Sequence, residues 1–178
     1  FFASAIYPAI WPFWGAAKFG WDTATIGVSL AAFGIITAVF KGFVTGPAVA
    51  RFGEVQVALI GMVSAVIAVV GYGMAGGLFM VVVFMLIHGP EGFVHPMLVA
   101  IMSKIVPDDA QGELQGGISS VMNIAMLLGT IFFSQLFAAF MEESAVVQSP
   151  NVAFYVAAGL LAGVLVLFAA VKPREAYV

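Results

Sequence analysis

Hydrophobic residues run through this sequence in six long segments, separated by short stretches where charged and turn-forming residues gather. A bilayer core about 30 Å thick needs about 20 apolar residues per helix, so each segment predicts a membrane-spanning helix. The predicted helices cover about residues 1–17, 23–45, 55–75, 78–105, 114–141 and 152–171. The first is short and begins inside an apolar run, so we expect it to be truncated and the chain to be a fragment of something longer.

Composition agrees with a membrane location. Hydrophobic residues make up 63% of the 178 residues, charged residues make up 8%, and the mean hydropathy is +1.13. A water-facing surface needs about a quarter of its residues charged, so the sequence indicates an all-α integral membrane protein. The net charge of −3 is spread over loops and termini and favours no nucleic-acid partner. The lack of cysteine excludes disulfides, thiolate catalysis and Cys-ligated metals, and no pattern indicates a cofactor or an enzyme.

The basic residues predict an orientation. With six antiparallel helices, Lys18 lies on one side of the membrane and the other basic residues lie on the opposite side: Lys41, Arg51, Lys104, Lys172 and Arg174. Cytoplasmic loops carry the excess of Lys and Arg in membrane proteins. We therefore expect both termini in the cytoplasm, and in a bacterium the membrane would be the inner one.

The predicted fifth helix carries a polar stripe. Successive residues turn by about 100° on a helix, which places its polar and soft side chains within about a third of the circumference. They are Gln115, Ser119, Asn123, Met126, Thr130 and Ser134. Such a stripe lines a cavity or packs against another helix, and both alternatives are open because these residue types commonly join membrane helices. The third and sixth helices carry few polar side chains, so we expect them to face lipid.

The stretch "HGPEGFVHP" places titratable groups in the middle of the fourth predicted helix. On a regular helix His88, Glu91 and His95 project within about 60° of one another. A charged side chain at this depth costs at least about 2.5–3.5 kcal/mol, so such residues usually face a partner or a pathway. The pattern predicts a proton-exchange site. The alternatives are that the three groups only satisfy one another, or that they bind a metal.

Two prolines accompany these titratable groups. Pro90 and Pro96 cannot donate to the helical hydrogen-bond ladder, so the sequence predicts a distorted helix here. Irregular backbone inside a membrane is tolerated where protein or a water-filled cavity satisfies it. Two prolines also disturb the convergence of three ligands on one ion, which favours proton exchange over a metal site.

A second motif lies between the second and third predicted helices. The stretch "GPAVARFGE" resembles the loop motif of the major facilitator superfamily, Gly-x-x-x-Asp-Arg-x-Gly-[Arg/Lys]. Gly46, Arg51 and Gly53 match it, whereas Ala50 replaces the Asp and Glu54 replaces the basic residue. Together with "KFGWDTATIGVSLAAFGI" and "MLVAIMSKIVPDDAQGELQGGISSV", the motif makes nearly the whole chain similar to the C-terminal half, helices seven to twelve, of tetracycline/proton antiporters.

The resemblance implies a six-helix transporter half and a cavity. It implies that the loop motif steadies one conformation, with Arg51 bonding acceptors at helix ends. The cavity would be lined by the fifth-helix stripe together with Tyr7, Trp11, Phe33 and Thr37. Thr37 stands where the exporters carry a functional His, so we expect ion coupling to have moved to His88, Glu91 and His95. We expect Lys41 to snorkel to the interface, with a role in the cavity as the alternative.

Two classes of function follow. The first is proton-coupled efflux of amphipathic drugs or tetracycline-like compounds. In that class the six-helix fragment would need its missing N-terminal half or a second copy, because such transporters rock two halves about a midplane site. The second class is a non-transporting membrane assembly module whose polar face forms a dimer interface. The expected partners are the lipid bilayer, the other half or a homodimer, and a small amphipathic substrate with protons.

Overall fold

The computed structural model describes residues 1–145 and 147–171, and within those ranges it contains seven α-helices and no strand. The helices are α1 (Ile6–Phe19), α2 (Thr23–Val39), α3 (Thr45–Met74), α4 (Leu78–His88), α5 (Val94–Ser103), α6 (Gln111–Met141) and α7 (Val152–Val171). Short 3-10 helices cover Ala3–Ala5, Gly89–Phe93 and Asp108–Ala110, and a π-helix covers Phe40–Val44. Lys172 and Arg174, which support the predicted orientation, lie outside the described residues.

Four helical stretches in the described part are long and apolar enough to cross a membrane. They cover Thr23–Met74, Leu78–Ser103, Asp108–Met141 and Val152–Val171. The first stretch has 52 residues, more than twice the length that one span needs. It is interrupted at Gly53, whose φ of 74° lies in the left-handed region. Glycine adopts this backbone without steric cost, so the predicted break at 46–54 is a single residue between two helical segments.

The connection between α1 and α2 is built from capping residues. Gly20 ends α1 with a φ of 67°, and the backbone N–H groups of Gly20 and Trp21 donate to Ala16 and Gly15 carbonyls. Asp22 then caps α2, since its carboxylate accepts from the backbone N–H of Thr25 at 2.8 Å. Hydrogen bonding with Thr25 lowers the pKa of Asp22 below its ordinary value. This turn therefore contains its own start and stop signals.

The core forms where α1, α3, α4 and α7 meet. Its largest buried side chains include Trp14, Tyr72 and Phe154, whose rings pack in tilted and edge-on pairs. The third predicted helix is thus not simply a lipid-facing one. The segment of α3 after Gly53 packs one face into this core and points Ile60, Val63 and Ile67 outward. The low polarity of this segment is compatible both with burial of one face and with exposure of the other face to lipid.

The long helix α6 lies at the edge of the bundle. Only Gly129 and Phe133 are buried along its length. A Cβ at Gly129 would lie 2.7 Å from the Cβ of Ala5, so the missing side chain allows α6 to approach the first 3-10 helix closely. Most of α6 is left uncovered within the described chain, including its polar stripe.

Candidate functional site

The candidate site is built on the irregular turn Gly89–Phe93, which separates α4 from α5. Pro90 cannot donate a backbone hydrogen bond, and the turn adopts 3-10 geometry. A 3-10 helix has about three residues per turn, so side chains three positions apart align. His88 and Glu91 have this spacing, and Nε2 of His88 pairs with Oε2 of Glu91. The proline-containing turn brings two of the predicted titratable groups into direct contact.

Other helices complete a polar network around this pair. The hydroxyl of Ser4 donates to Oε1 of Glu91 at 2.8 Å, and the hydroxyl of Tyr72 lies 3.1 Å from Nδ1 of His88. The network therefore joins the chain start, α3 and the irregular turn. Long separations along the sequence, 87 residues for Ser4 and Glu91, hid these contacts from sequence reasoning.

This network satisfies two protonation states of the imidazole. When His88 is neutral, Tyr72 donates to Nδ1 while the Nε2–H group donates to Glu91. When His88 is protonated, both ring N–H groups donate, to the oxygen of Tyr72 and to Glu91. Both ring nitrogens therefore keep a hydrogen bond in either state, whereas the hydroxyl hydrogen of Tyr72 has an acceptor only when His88 is neutral.

The two members of the pair differ in access. The side chain of His88 is fully enclosed, whereas the side chain of Glu91 is 20% exposed. Tyr7 and Phe33 cover the imidazole, with ring centroids 4.6 and 5.0 Å from it. The buried hydroxyl of Tyr7 makes no hydrogen bond among the described residues. Glu91 is therefore the member that solvent or a ligand reaches.

Two cavities adjoin the network. The larger one encloses about 570 Å³, and its wall includes Phe33, Thr37, Lys41, His88, Glu91 and His95. The smaller one encloses about 230 Å³ between α1 and α2, and its wall includes Tyr7, Trp11, Phe33 and His88. Trp11 also donates to the hydroxyl of Ser29 at 3.0 Å, which joins α1 to α2. Four predicted cavity residues, Tyr7, Trp11, Phe33 and Thr37, thus line a cavity.

His95 does not join the network. Its ring packs edge-on against Phe1 with centroids 5.4 Å apart, and its side chain is exposed on the wall of the larger cavity. Pro96 follows it inside the first turn of α5. In the described part of the chain, no three His, Asp or Glu side chains form a metal-binding group. The geometry therefore provides no support for the metal alternative.

The fifth-helix residues occupy a different surface. Gln115, Ser119 and Asn123 are exposed on α6, and Met126 is half-buried. They border neither of the two cavities. Their assignment to a substrate cavity stays a prediction for a complete transporter.

The loop-motif residues lie along the first segment of α3, from its first turn to the break at Gly53. Gly46 is in regular helix, Gly53 makes the turn, and the guanidinium of Arg51 lies 5.5 Å from the ring centroid of Phe52. The predicted bonds from Arg51 to helix ends are absent among the described residues. Instead Glu54, which departs from the motif, has its carboxylate 2.8 Å from the ammonium of Lys104 at the end of α5. An ion pair thus connects this turn to the α5–α6 connection.

For Lys41, the sequence predicts snorkelling to the interface, with a role in the cavity as the alternative. It lies in the π-helix Phe40–Val44 and on the wall of the larger cavity. The wide turn of a π-helix shifts side chains relative to a regular helix, and such turns often occur at functional sites. The run "FKGFV" carries no sequence signal that separates this placement from snorkelling.

Comparison with known proteins finds one family model and several similar proteins that share one named function. The family model described as Major Facilitator Superfamily matches residues 1–177. The tetracycline resistance protein, class G, of Vibrio anguillarum is 38% identical over 131 residues, which are 74% of this chain and 33% of that protein. The class C protein of Escherichia coli is 36% identical over 131 residues, with the same shares. The class B protein of Escherichia coli is 30% identical over 130 residues, 72% of this chain and 32% of that protein.

These relatives are longer than this chain, which spans about a third of their length. No solved structure matches the chain significantly.

Proposed function

Since this chain belongs to the Major Facilitator Superfamily, we propose that it forms the C-terminal half of an exporter that exchanges protons for amphipathic drugs or tetracycline-like compounds. The observation that carries the proposal is the Glu91–His88 pair, enclosed on one side and open to a cavity on the other. The proposed function of the chain is transport across a membrane, not catalysis. The relatives named tetracycline resistance proteins support the drug class.

Proton exchange is assigned to Glu91 with His88. Glu91 receives hydrogen bonds from Ser4 and His88, and its partial exposure gives protons access. Both ring nitrogens of His88 have a hydrogen-bond partner, Glu91 at Nε2 and the hydroxyl of Tyr72 at Nδ1. Protonation of the pair changes the charge of the cavity wall. A substrate and a proton can therefore compete for the same site, which is the requirement for antiport.

Drug binding is assigned to the larger cavity. Its volume of about 570 Å³ lies within the range of small-molecule sites, about 300–1,000 Å³. Phe33, Met62 and Leu161 supply apolar surface on its wall, and Thr37 supplies a hydroxyl. Such a lining suits an amphipathic molecule.

Alternating access requires a second six-helix unit. The uncovered polar stripe on α6 is the surface we assign to the missing N-terminal half, with a second copy of this chain as the other candidate partner. Ser119 and Asn123 would supply hydrogen bonds to that partner. We propose that the side that carries Lys41, Arg51 and Lys104, and with it both termini, faces the cytoplasm, because cytoplasmic loops carry the excess of Lys and Arg. In a bacterium the membrane would be the inner one.

The test uses vesicles that contain the full-length parent and an imposed pH gradient. Native protein should accumulate drug against its gradient, and Glu91→Gln should accumulate it only to the level without a pH gradient. The matched control is Glu113→Gln, which removes an exposed carboxylate at the start of α6. Coupled transport at the native rate by Glu91→Gln would refute the assignment of the proton site.

A further inference from the structure

The smaller cavity differs from the larger one in the chemistry of its wall. Aromatic side chains from three helices form most of that wall: Tyr7, Trp11, Phe33 and Tyr72. Among the described residues, no Lys, Arg, Asp or Glu borders it, whereas the larger cavity has both a lysine and a glutamate on its wall. The smaller cavity therefore has no charged group with which to select a ligand.

The polar atoms of this wall are already engaged or enclosed. Nε1 of Trp11 donates to Ser29 at 3.0 Å, and the hydroxyl of Tyr72 lies 3.1 Å from Nδ1 of His88. The other ring nitrogen of His88 is hydrogen-bonded as well, and the hydroxyl oxygen of Tyr7 is buried. An ordered water molecule needs two to four polar partners, which these side chains do not offer. The wall therefore favours an apolar occupant.

The volume of the smaller cavity suits an aromatic ring. A dry cavity of about 150 Å³ lined by apolar side chains is large enough to bind benzene. The smaller cavity encloses about 230 Å³, which leaves room for one ring or two fused rings. Aromatic rings favour offset and edge-on contacts with other rings, and four aromatic side chains are available on this wall.

The two cavities share part of their walls. Phe33 and His88 border both of them, so the cavities are neighbours. Hydrogen bonds fix the ring of His88, whereas Phe33 has no polar atom and is only half-buried. Phe33 is therefore the part of the shared wall that can rotate aside.

We propose that the smaller cavity binds the aromatic end of a substrate whose amphipathic body lies in the larger cavity, with Phe33 as a movable partition between them. The substrate class is then amphipathic molecules that end in one or two aromatic rings. The ring carries no charge, so its binding does not stabilise a proton on Glu91. This inference rests on the proposed function, since it adds a subsite to the same drug site.

The test measures binding to the 178-residue chain in phosphatidylcholine nanodiscs, with empty nanodiscs as the reference for partitioning into lipid. The probes share an uncharged body, triethylene glycol, and carry a naphthyl, a hexyl or a pyrenyl ether at one end. Leu30→Trp fills the smaller cavity, because Leu30 lies on its wall and is 49% exposed, which leaves room for a larger side chain. Ile35→Trp is the matched control, at an exposed position of α2 that borders neither cavity.

We expect the native chain to bind the naphthyl probe about tenfold more tightly than the hexyl probe, after partitioning into lipid is subtracted. Leu30→Trp should lose this preference and keep the native affinity for the hexyl probe, which shows that the chain is folded and the larger cavity intact. Ile35→Trp should keep the preference. Phe33→Ala joins the two cavities and should bind the pyrenyl probe more tightly than the native chain does.

Equal affinity of the native chain for the naphthyl and hexyl probes would overturn the aromatic subsite and leave the larger cavity as a drug site. A preference that survives in Leu30→Trp would overturn it too, because the ring would then bind elsewhere. Weaker binding of both probes by Leu30→Trp but not by Ile35→Trp would show a cavity for any apolar chain, such as that of a lipid, and not an aromatic subsite. Unchanged affinity of Phe33→Ala for the pyrenyl probe would contradict the partition.

Failure of the proposed function gives a different result. If none of the three probes binds the native chain above the level of empty nanodiscs, the larger cavity is not a drug site, and the proposed function fails together with the subsite.

Discussion

The irregular turn between α4 and α5 and the stripe on α6 are both polar interruptions of apolar helices, yet they differ in almost every structural respect. At the turn, His88 and Glu91 are bonded to each other and to Ser4 and Tyr72. On α6, Gln115, Ser119 and Asn123 are exposed.

The difference separates polar residues whose partners are in this chain from polar residues whose partners are not. A buried polar group that lacks a hydrogen bond lowers the stability of the folded chain. The network at the turn is therefore stable only when each of its members is present. An exposed stripe in a membrane helix needs a second surface or water. We therefore assign the turn to chemistry within this half and the stripe to assembly with a partner.

The largest effect on stability should come from a side chain at Gly61, where α3 packs against the irregular turn. A Cβ there would lie 2.7 Å from the carbonyl oxygen of Pro90, and backbone cannot move aside as a side chain can. Gly61→Val should lower the stability of the detergent-solubilised chain by about 3 kcal/mol, measured by thermal unfolding. Gly159→Val, on α7 with no atom within 4 Å of its Cβ position, is the control and should change stability little. Equal stability of the two variants would contradict the close packing of Gly61 against Pro90.

A smaller effect should follow from removing one hydroxyl of the network. Tyr72→Phe leaves Nδ1 of His88 without its partner and should cost about 1 kcal/mol. Tyr155→Phe removes a hydroxyl from a half-exposed residue of α7 and should cost much less. Thermal unfolding of both variants checks the difference. A cost as small as that of the control would mean that the hydrogen bond contributes nothing.

A change in the polar stripe on α6 should affect drug efflux more than the stability of the chain. Asn123→Leu should change the stability of the separate chain by less than about 0.5 kcal/mol, because Asn123 is exposed there. In the full-length parent the same change should reduce drug efflux from vesicles, since a partner loses a hydrogen bond. Leu127→Met, an exposed apolar change one turn further along α6, is the control. Native efflux by Asn123→Leu would remove the reason for assigning the stripe to assembly.

The smallest effect lies outside both regions, at the cap of α2. The pKa of Asp22 is lowered by its hydrogen bonds with Thr25, so its ionised form stabilises the folded chain. That contribution is present above the unfolded pKa and is lost as the pH falls through the folded one. Asp22→Ala should therefore lower the melting temperature slightly at about pH 6, and the difference from the native chain should shrink as the pH falls below the ordinary pKa of Asp, about 3.9. An unchanged difference across that range would contradict the cap.

Sequence predicted that His88 and Glu91 lie together, but it did not predict the backbone geometry that joins them. The spacing of His88 and Glu91 was enough to place them together, but His95 was expected beside them on a regular helix. The 3-10 turn aligns positions three apart, and His95 then falls on the cavity wall instead. Backbone geometry inside a proline-containing segment is decided by packing, such as the contact of Pro90 with Gly61, and this is not readable from local pattern.

Long-range partners were equally hidden. Ser4 and Tyr72 carry no motif, and their hydrogen bonds exist because three elements meet at one point. The break near Gly53 and the four long apolar stretches could be predicted from the sequence. Both depend on the residues of the segment itself and not on distant partners. The number of helices in a complete half stays a prediction.

The most direct test of the central claim is proton release on drug binding. The full-length parent in weakly buffered detergent is mixed with drug while a pH indicator is read, and binding is measured separately. We expect about one proton released per drug bound by native protein and none by Glu91→Gln, although that variant still binds drug. Release of the same number of protons by the variant would show that Glu91 does not carry the exchanged proton.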